Sequence, residues 1–193
     1  MNSKTSFADQ IGDRMAIADV MYRWCRAVDR KDWDAVDDCF HPEATDNHGI
    51  YNGDIPGMKA WLMERHESIV GSSHYISNML IEFVSPERAV VESYALAYQR
   101  YPAAPDSDKT RSDITGGAAS ESSGDFDMLI NGRYVDLFEK RDGEWRVLER
   151  TVIFDTSMML PVPAGGAQLD PSWPIGRRDA TDPLWRVRKE AGL

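Results

Sequence analysis

Apolar residues recur every three or four positions over the first third of the chain and every second position over the middle. The longer interval is typical of amphipathic helices and predicts three of them, over residues 7–29, 31–40 and 55–70. The shorter interval begins after Gly71 and predicts four strands, over residues 73–84, 88–101, 127–140 and 144–155. Helices that precede strands indicate an α+β domain in which the helices pack on one face of an antiparallel sheet.

Two segments show neither interval. Residues 102–125 are rich in Pro, Ser, Gly and Asp, and their length is typical of a loop that closes over a site. Residues 157–193 contain several prolines and predict an extension that packs on the domain or on the mouth of its pocket. We therefore expect one domain over residues 1–156 and a C-terminal extension over residues 157–193.

The apolar stripe of the first helix ends in a carboxylate. Its members lie four and three residues apart and share one helix face: Ile11, Met15, Ala18, Tyr22, Cys25 and Asp29. A carboxylate that faces a core must find a partner or stay protonated, because its desolvation is costly. A histidine is the partner to look for. The plainer interpretation is a helix-end residue bonded to the backbone, to Arg30 or to Lys31.

The segment around Asp29, YRWCRAVDRKDWDAV over residues 22–36, resembles the first helix-turn-helix of the scytalone dehydratases. The resemblance extends through four further segments: CFHPEAT (39–45), SSHYISNMLIEF (72–83), YQRY (98–101) and FEKRDGEWRV (138–147). On these residues the chain is identified as a member of the SnoaL-like group of the nuclear transport factor 2 superfamily, close to scytalone dehydratases and hexachlorocyclohexane dehydrochlorinases. The resemblance implies a cone-shaped barrel, in which a curved antiparallel sheet and three N-terminal helices enclose a pocket.

The resemblance also implies a set of site residues. Asp29 and His74 match the catalytic aspartate and histidine of the dehydratases and the dehydrochlorinase. Tyr98 stands where scytalone dehydratases have a second active-site histidine, and His48 stands where they have a tyrosine that polarises the substrate carbonyl through water. Trp24 occupies the position of a catalytic tyrosine in a bile-acid dehydratase. Relatives of this type need no cofactor and assemble as trimers or dimers.

An Asp–His pair is suited to removing a proton next to an activating group. Histidine titrates near neutral pH, and a carboxylate bonded to one ring nitrogen fixes the tautomer and leaves the other nitrogen basic. Both faces of the strand around His74 carry apolar residues, so the alternation does not show which face lines the pocket. Further candidates for substrate contact are four walls and two polar strand residues: Trp24, Tyr22, Met128, Phe154, Asn131 and Arg133.

Composition narrows the partners. The net charge of −10 argues against nucleic acid and anionic membranes, which attract basic surfaces. No apolar run is long enough to span a membrane, no signal-peptide pattern opens the chain, and the two cysteines have no redox spacing, so a cytoplasmic protein is expected.

No Gly-rich phosphate loop follows a strand, so a nucleotide site is not expected. No metal-ligand spacing is found among the acidic and histidine candidates, Asp29, Asp46, His48 and His74, and His66 is expected on an exposed helix side.

These observations predict a cofactor-independent lyase that eliminates water, or a similar leaving group, from a small hydroxylated aromatic or alicyclic substrate. Asp29 would orient His74 as the base, while Tyr98 and His48 would hold the substrate oxygen. The sequence leaves two alternatives open. One is a non-catalytic small subunit or small-ligand binding protein of the same fold, and the other is an isomerase or cyclase. A homotrimer or a homodimer is expected in each case.

Overall fold

The computed structural model describes residues 8–103, 124–163 and 169–193. A 3-10 turn over Ala8–Gln10 leads into the first of three helices: α1 (Ile11–Arg30), α2 (Trp33–Asp37) and α3 (Ile55–His66). Six strands lie within these described ranges: β1 (Phe40–Asn47), β2 (Asn52–Asp54), β3 (Gly71–Ser85), β4 (Arg88–Tyr101), β5 (Phe126–Arg141) and β6 (Glu144–Pro161). A fourth helix, α4, spans Pro183–Glu190. The predicted loop over 102–125 lies almost entirely outside the described residues.

All six strands belong to one sheet, in the order β2-β1-β6-β5-β4-β3. Neighbouring strands are antiparallel except β1 and β6, which run parallel. The sheet curves round the N-terminal helices, and α1 contacts both β3 and β6. The α+β cone predicted from the sequence is therefore confirmed. Within the described ranges, no helix combines the length and the apolar character needed to cross a bilayer.

The buried face of α1 is turned relative to the predicted stripe. Three members of that stripe are more than half exposed: Ile11, Met15 and Tyr22. The buried side centres instead on Trp24, whose indole packs edge-on against Phe40 with ring centroids 5.4 Å apart. Residue spacing shows that a helix has an apolar face, but it does not show which side of the helix is buried most deeply. In α1 that side is the one that carries the large indole of Trp24. Asp29 still lies on the buried side.

A bulge in β3 decides which of its faces meets the helices. The pairing with β4 shifts between Ser77 and Leu80, and Asn78 within the bulge has a positive φ of 44°. The bulge adds one residue to β3, so the alternation of side chains changes face. His74 before the bulge therefore points to the same side as Ile81 after it. A regular alternation could not assign the two faces for this reason.

Two boundaries and one additional helix differ from the sequence-based expectation. The second helix ends at Asp37 rather than near residue 40, because β1 already begins at Phe40 and pairs with β6. The last strand continues to Pro161, so the expected domain boundary at 156 falls inside a strand. The extension contains α4, which its weak periodicity did not predict. Asp182 caps this helix by accepting a hydrogen bond from the Leu184 N–H.

Candidate active site

The end of α1 and the start of β3 bring Asp29 and His74 together. Nδ1 of the His74 ring lies 2.7 Å from Oδ1 of Asp29, and the His74 backbone N–H donates to Oδ2 at 2.8 Å. The hydroxyl of Ser72, two residues earlier on the same strand face, donates to Oδ1 at 2.7 Å. Only 9% of the His74 side chain and 10% of the Asp29 side chain are exposed. The carboxylate is thus bound at both oxygens and largely shielded from bulk water.

These contacts fix the protonation of the pair. Burial alone would raise the pKa of Asp29, but the hydrogen bonds from His74 and Ser72 and the attraction of the imidazole outweigh burial and hold that pKa below its usual value. Asp29 is therefore ionised and accepts the hydrogen bond from Nδ1 of His74. Nε2 of His74 has no hydrogen-bond partner among the described residues and carries the basic lone pair.

A pocket opens beside His74, between the helices and the sheet. The lining of its inner chamber, of about 50 Å³, includes Trp24, His48, His66, His74 and Gln99. The lining of its outer chamber, of about 410 Å³, includes Ile50, Trp61, Met128 and Thr156. Four residues line both chambers and mark their junction: His48, Arg65, Ile130 and Phe154. Largely apolar walls with a few polar groups are typical of sites for small organic ligands.

A second carboxylate–imidazole pair lies at the end of β1. Nδ1 of His48 is hydrogen bonded to Oδ1 of Asp46, and both side chains are buried. The ring of His48 packs against Trp61 and Trp24, with ring centroids 5.5 Å and 6.5 Å away. Burial lowers the pKa of His48 below its usual value, against the opposing effect of Asp46. The imidazole of His48 is therefore neutral near pH 7.

The prediction that His66 lies on an exposed helix side is wrong. Its side chain is 1% exposed, and its Nδ1 accepts a hydrogen bond from Nη2 of Arg178 at 2.7 Å. Burial and the charge of Arg178 hold the pKa of His66 well below its usual value, so the ring is neutral and its proton lies on Nε2. The contact comes from the C-terminal extension, and the helix period of α3 carries no information about it.

Arg178 of the extension also caps the end of α1. Its guanidinium donates to the backbone carbonyls of Val28 at 3.0 Å, Asp29 at 2.9 Å and Ile69 at 2.7 Å. The last carbonyls of a helix have no partner within the helix, and a cation at this end satisfies them and complements the helix dipole. The extension thus holds the turn of α1 that carries the Asp29 carboxylate.

Three of the four predicted wall residues line the pocket. Trp24 lines the inner chamber, Met128 lines the outer chamber, and Phe154 lines both. Tyr22 is instead 56% exposed, and it lines an open surface groove that Asp29 and His74 border from the side opposite the pocket, together with Leu184. Two positions along a helix correspond to a turn of about 200°, so Tyr22 faces outward where Trp24 faces inward.

Tyr98 and Asn131 lie outside the pocket, which corrects two of the predicted site residues. The pocket side of β4 carries Ala97 and Gln99, so Tyr98 between them projects from the opposite side of the sheet. The Tyr98 hydroxyl accepts a hydrogen bond from Nη2 of Arg100 at 3.1 Å. Asn131 is exposed. Alternate residues of a strand face opposite sides of the sheet, and the sequence did not reveal which set faces the pocket. Tyr98 and Asn131 belong to the set that faces away from it.

Arg133 contributes to the lining of the inner chamber, but its guanidinium is bound elsewhere. Nη1 donates to Glu92 at 2.8 Å, while Nε and Nη2 donate to Asp155 at 3.0 Å and 3.1 Å. Two carboxylates therefore neutralise this cation on the outer face. The expectation that Arg133 contacts the substrate is corrected accordingly.

Several residues that shape the site were not predicted as site residues: Asp46, Arg65, Ser72, Gln99 and Arg178. Ser72 and Asp46 could have been found from the sequence. Each stands two positions before a histidine, and residues two apart in an extended chain share a face. Arg178 carried no such signal, since it reaches carbonyls 149 and 150 residues earlier in the chain. In the parts of the chain that the structure describes, no three His, Cys, Asp or Glu side chains cluster closely enough to hold a metal ion.

The fold agrees with comparisons against known proteins. The family described as SnoaL-like domain matches residues 9–151, which is most of the chain. The chain belongs to the SnoaL-like family. The resemblance inferred from the sequence motifs is therefore confirmed. A comparison of this SnoaL-like protein with curated proteins gave no match.

Solved structures share the fold of this SnoaL-like protein at low sequence identity. A candidate scytalone dehydratase from Novosphingobium aromaticivorans DSM 12444 is 22% identical, with a TM-score of 0.62, over 82% of this chain and 97% of that one. The hexachlorocyclohexane dehydrochlorinase LinA-type3 from Novosphingobium barchaimii LL02 is 20% identical, with a TM-score of 0.63, over 86% of this chain and 99% of that one. The protein Kfla4162 from Kribbella flavida is 15% identical, with a TM-score of 0.60, over 76% of this chain and 93% of that one. Such similarity shows a common fold and leaves the chemistry to the site.

Proposed function

We propose that this SnoaL-like protein is a cofactor-independent lyase that eliminates water from a small hydroxylated aromatic or alicyclic substrate. One observation carries the proposal. A buried, ionised carboxylate, Asp29, lies 2.7 Å from the imidazole of His74, whose second nitrogen has no partner among the described residues and whose side chain lines the pocket. This arrangement is that of a general base and the group that orients it.

In the proposed reaction, Nε2 of His74 takes a proton from the carbon next to an activating group of the substrate. The electron pair of that C–H bond becomes the new double bond, and the neighbouring C–O bond breaks with its electrons on oxygen. The imidazolium of His74 returns the proton to the leaving oxygen, which departs as water. Asp29 stabilises the imidazolium between these steps, because its charge lies beside the ring. General acid–base help of this kind accelerates a reaction about 10²–10⁴-fold.

The walls of the pocket support a cyclic, largely apolar substrate. Trp24, Met128 and Phe154 contribute apolar surface to the two chambers, and aromatic walls are suited to flat rings. The inner chamber of about 50 Å³ receives the reacting part of the ligand, and the outer chamber of about 410 Å³ receives the remainder. His48, at the junction, contacts the substrate oxygen.

A screen of hydroxylated cyclic and aromatic compounds, without added metal or nucleotide, tests the proposal. We expect the wild-type protein to release water from at least one compound. Asp29→Asn and His74→Ala should lower kcat/KM by about 10²–10⁴-fold, because each removes one half of the base. Asp19→Asn is the matched control: it changes an exposed carboxylate of the same helix, 65% accessible, and should keep the wild-type rate.

Circular dichroism and thermal unfolding show whether each variant is folded. Folded Asp29→Asn and His74→Ala proteins that both retain the wild-type rate would reject the assignment of the base. Binding of a compound by the wild type with no conversion of any compound would identify a ligand-binding member of the family instead. An isomerised product of unchanged mass would retain His74 as the base and identify an isomerase instead of a lyase.

We also propose that the protein is a cytoplasmic homotrimer or homodimer. Tyr75, Tyr94 and Leu96 share the outer face of the sheet and are 59%, 42% and 37% exposed, which supports association through this face. Cys25 and Cys39 are free and buried, which supports a reducing compartment. Light scattering coupled to size-exclusion chromatography distinguishes a trimer or dimer from a monomer, and a monomeric mass would reject the assembly.

A further inference from the structure

We propose that Asp46 and His48 form a second working pair, in which Nε2 of His48 accepts a hydrogen bond from a hydroxyl group of the ligand. The inference rests on the proposed function and deepens it, because it specifies the substrate. The compound must present an O–H group at the junction of the two chambers. His48 is the residue that touches the ligand, and Asp46 is a positioning residue that acts through the imidazole.

The backbone around this pair is fixed on both sides. Asp46 lies in β1 between β2 and β6, opposite Gly53 on one side and Arg150 on the other. The backbone N–H of His48 donates to the carbonyl of Tyr51 at 2.8 Å. The two residues are separated by one position, so their side chains project to the same side of the chain, where Nδ1 of His48 meets Asp46. The imidazole therefore has a defined position in the pocket wall.

The contact with Asp46 determines where the proton of His48 lies. Asp46 is fully buried and lies opposite Arg150 of the neighbouring strand β6. The buried guanidinium of Arg150 donates to Asp136 at 2.8 Å and 2.7 Å. Nη1 of Arg150 and Oδ2 of Asp46 are both buried without a hydrogen-bond partner among the described residues. In the contact with His48 the carboxylate oxygen of Asp46 accepts, so the ring proton of His48 lies on Nδ1.

A neutral imidazole with its proton on Nδ1 offers only a lone pair at Nε2. The charged groups near the ring are Asp46, Arg150 and Arg65, and burial together with the two cations keeps the ring neutral. A carbonyl, an ether or a halogen cannot donate to this lone pair, whereas a hydroxyl can. His48 thus differs from the tyrosine that scytalone dehydratases have at this position, which polarises a substrate carbonyl through water.

The two imidazoles approach the ligand from different elements. His74 projects from β3, His48 follows the end of β1, and both line the inner chamber. Only His48 also lines the outer chamber. A ligand that meets both rings therefore presents a carbon acid to His74 and a hydroxyl to His48. This pairing separates hydroxylated substrates from halogenated ones that lack an O–H group.

The tautomer of His48 can be measured without any ligand or activity. The chain has four histidines, so ¹⁵N NMR of labelled side chains resolves few signals, and His48→Gln identifies the one that belongs to residue 48. We expect a protonated Nδ1 and an unprotonated Nε2 in the wild-type protein at neutral pH. A proton on Nε2 in the wild-type protein would overturn the proposal, whatever the variants do.

A matched pair of probes tests the hydroxyl preference directly. Phenol and anisole differ in the O–H group, and their dissociation constants can be measured by titration calorimetry or NMR. We expect the wild type to bind phenol about 10- to 100-fold more tightly than anisole, because a buried acceptor loses its partner with anisole. The preference should vanish in His48→Phe and shrink in Asp46→Asn. No preference in the wild type, or an unchanged preference in folded His48→Phe, would overturn the proposal.

Asp29→Asn separates this inference from the proposed function. The variant lacks the group that orients the base, and we expect it to keep the wild-type preference for phenol. A phenol preference that depends on His48 in a protein that converts no compound would reject the lyase and retain the hydroxyl contact. Turnover that depends on His74, in a protein with no preference for phenol, would retain the lyase and reject the hydroxyl contact of His48.

Discussion

The carboxylate of Asp29 holds three groups of β3 at once and, in the proposed reaction, orients the base. It accepts hydrogen bonds from the Ser72 hydroxyl, from the His74 backbone and from the His74 ring. With fewer donors the buried group would favour its protonated form and would no longer fix the proton on Nδ1 of the imidazole. Ser72 therefore influences the base without touching the pocket's ligand.

Replacement of Ser72 by alanine measures this influence. We expect Ser72→Ala to lower the free energy of unfolding by about 1 kcal/mol, because one hydrogen bond to a buried carboxylate is lost. The pKa of Asp29 should rise towards its usual value for the same reason. Urea unfolding and ¹³C NMR titration measure the two effects. Ser73→Ala, on the opposite face of the strand, should change stability by less than about 0.5 kcal/mol, and equal losses in both variants would contradict the assignment.

The two buried, neutral imidazoles of His48 and His66 give stability a defined dependence on pH. Both have a pKa below the ordinary 6.5 in the folded protein, and unfolding restores the ordinary value. The unfolded chain therefore binds more protons below about pH 6.5, so the stability from these rings is complete above that pH and is lost as pH falls towards the folded-state pKa. Urea midpoints between about pH 8 and about pH 5.5 should decline on the acid side, by at most about 1.4 kcal/mol per pH unit for each ring.

The carboxylate of Asp29 acts in a separate, more acidic window. Its pKa lies below the ordinary 3.8, so its contribution to stability is present above that pH and is lost only as pH falls through the lower folded value. A decline that begins near pH 6.5 therefore reports the imidazoles. A flat profile down to about pH 5.5 would show that the rings of His48 and His66 are not held neutral.

Individual site residues could be predicted only where chemistry and position coincide in a short segment. Asp29 ends an apolar helix face, and the motif resemblance pairs it with His74, so both were candidates from the sequence. Tyr98 was misplaced because the phase of the pleat decides which face a strand residue occupies. Arg178 was missed because its contacts join positions 149 residues apart, beyond the reach of any local pattern.

At the scale of elements, β3 shows how one residue can reorient a strand. The bulge near Asn78 lets His74 and the apolar residues after it face the same helices. A bulge of this kind needs a residue that tolerates a positive φ, and asparagine is among the few side chains that do. The position of the base in the pocket wall therefore depends on local backbone chemistry four residues away.

Substitution at Asn78 tests this dependence. We expect Asn78→Val to destabilise the fold by about 1–2 kcal/mol, because a β-branched residue is strained at a φ of 44°. Asn78→Gly adopts the same backbone angle without strain and serves as the matched control. Urea unfolding of the two variants provides the measurement. Equal stability of the valine and glycine variants would show that the bulge tolerates any side chain.

Local periodicity and turn residues predicted most of the elements. The change of interval near Gly71 and the Asp142-Gly143 turn located the long strands to within a few residues. The helix α4 was overlooked, although Asp182 followed by Pro183 is a common beginning of a helix. Pairing between β1 and β6 lay beyond the pattern, because it joins strands separated by most of the domain.

At the scale of the whole molecule, the extension belongs to the architecture of the site. Arg178 joins the ends of α1 and α3 through four hydrogen bonds from one buried guanidinium. Asp182, at the start of α4, pairs with Arg30 at 3.4 Å and strengthens the same attachment. The turn that carries Asp29 is thus secured from outside the region that matches the family.

Arg178→Met tests the attachment while it keeps much of the side-chain volume. We expect a loss of about 2–4 kcal/mol in the free energy of unfolding, because several buried carbonyls lose a charged donor. Turnover should also fall, since Asp29 then sits in an unsecured helix end. Arg177→Met, at the exposed neighbouring position, is the matched control and should retain stability and turnover. Identical unfolding curves for the two variants would show that the extension rests on the domain without supporting it.

Ribosomes release a chain from its amino end, so Asp29 emerges 149 residues before Arg178. Asp29 and His74 are therefore both synthesised long before Arg178, the residue that secures the end of α1. A message cut short ahead of codon 178, or a protease that trims the tail, would yield a molecule with its acid and imidazole present but poorly anchored. The proposed reaction would therefore be fast only in molecules whose chain extends past Arg178 and keeps its tail.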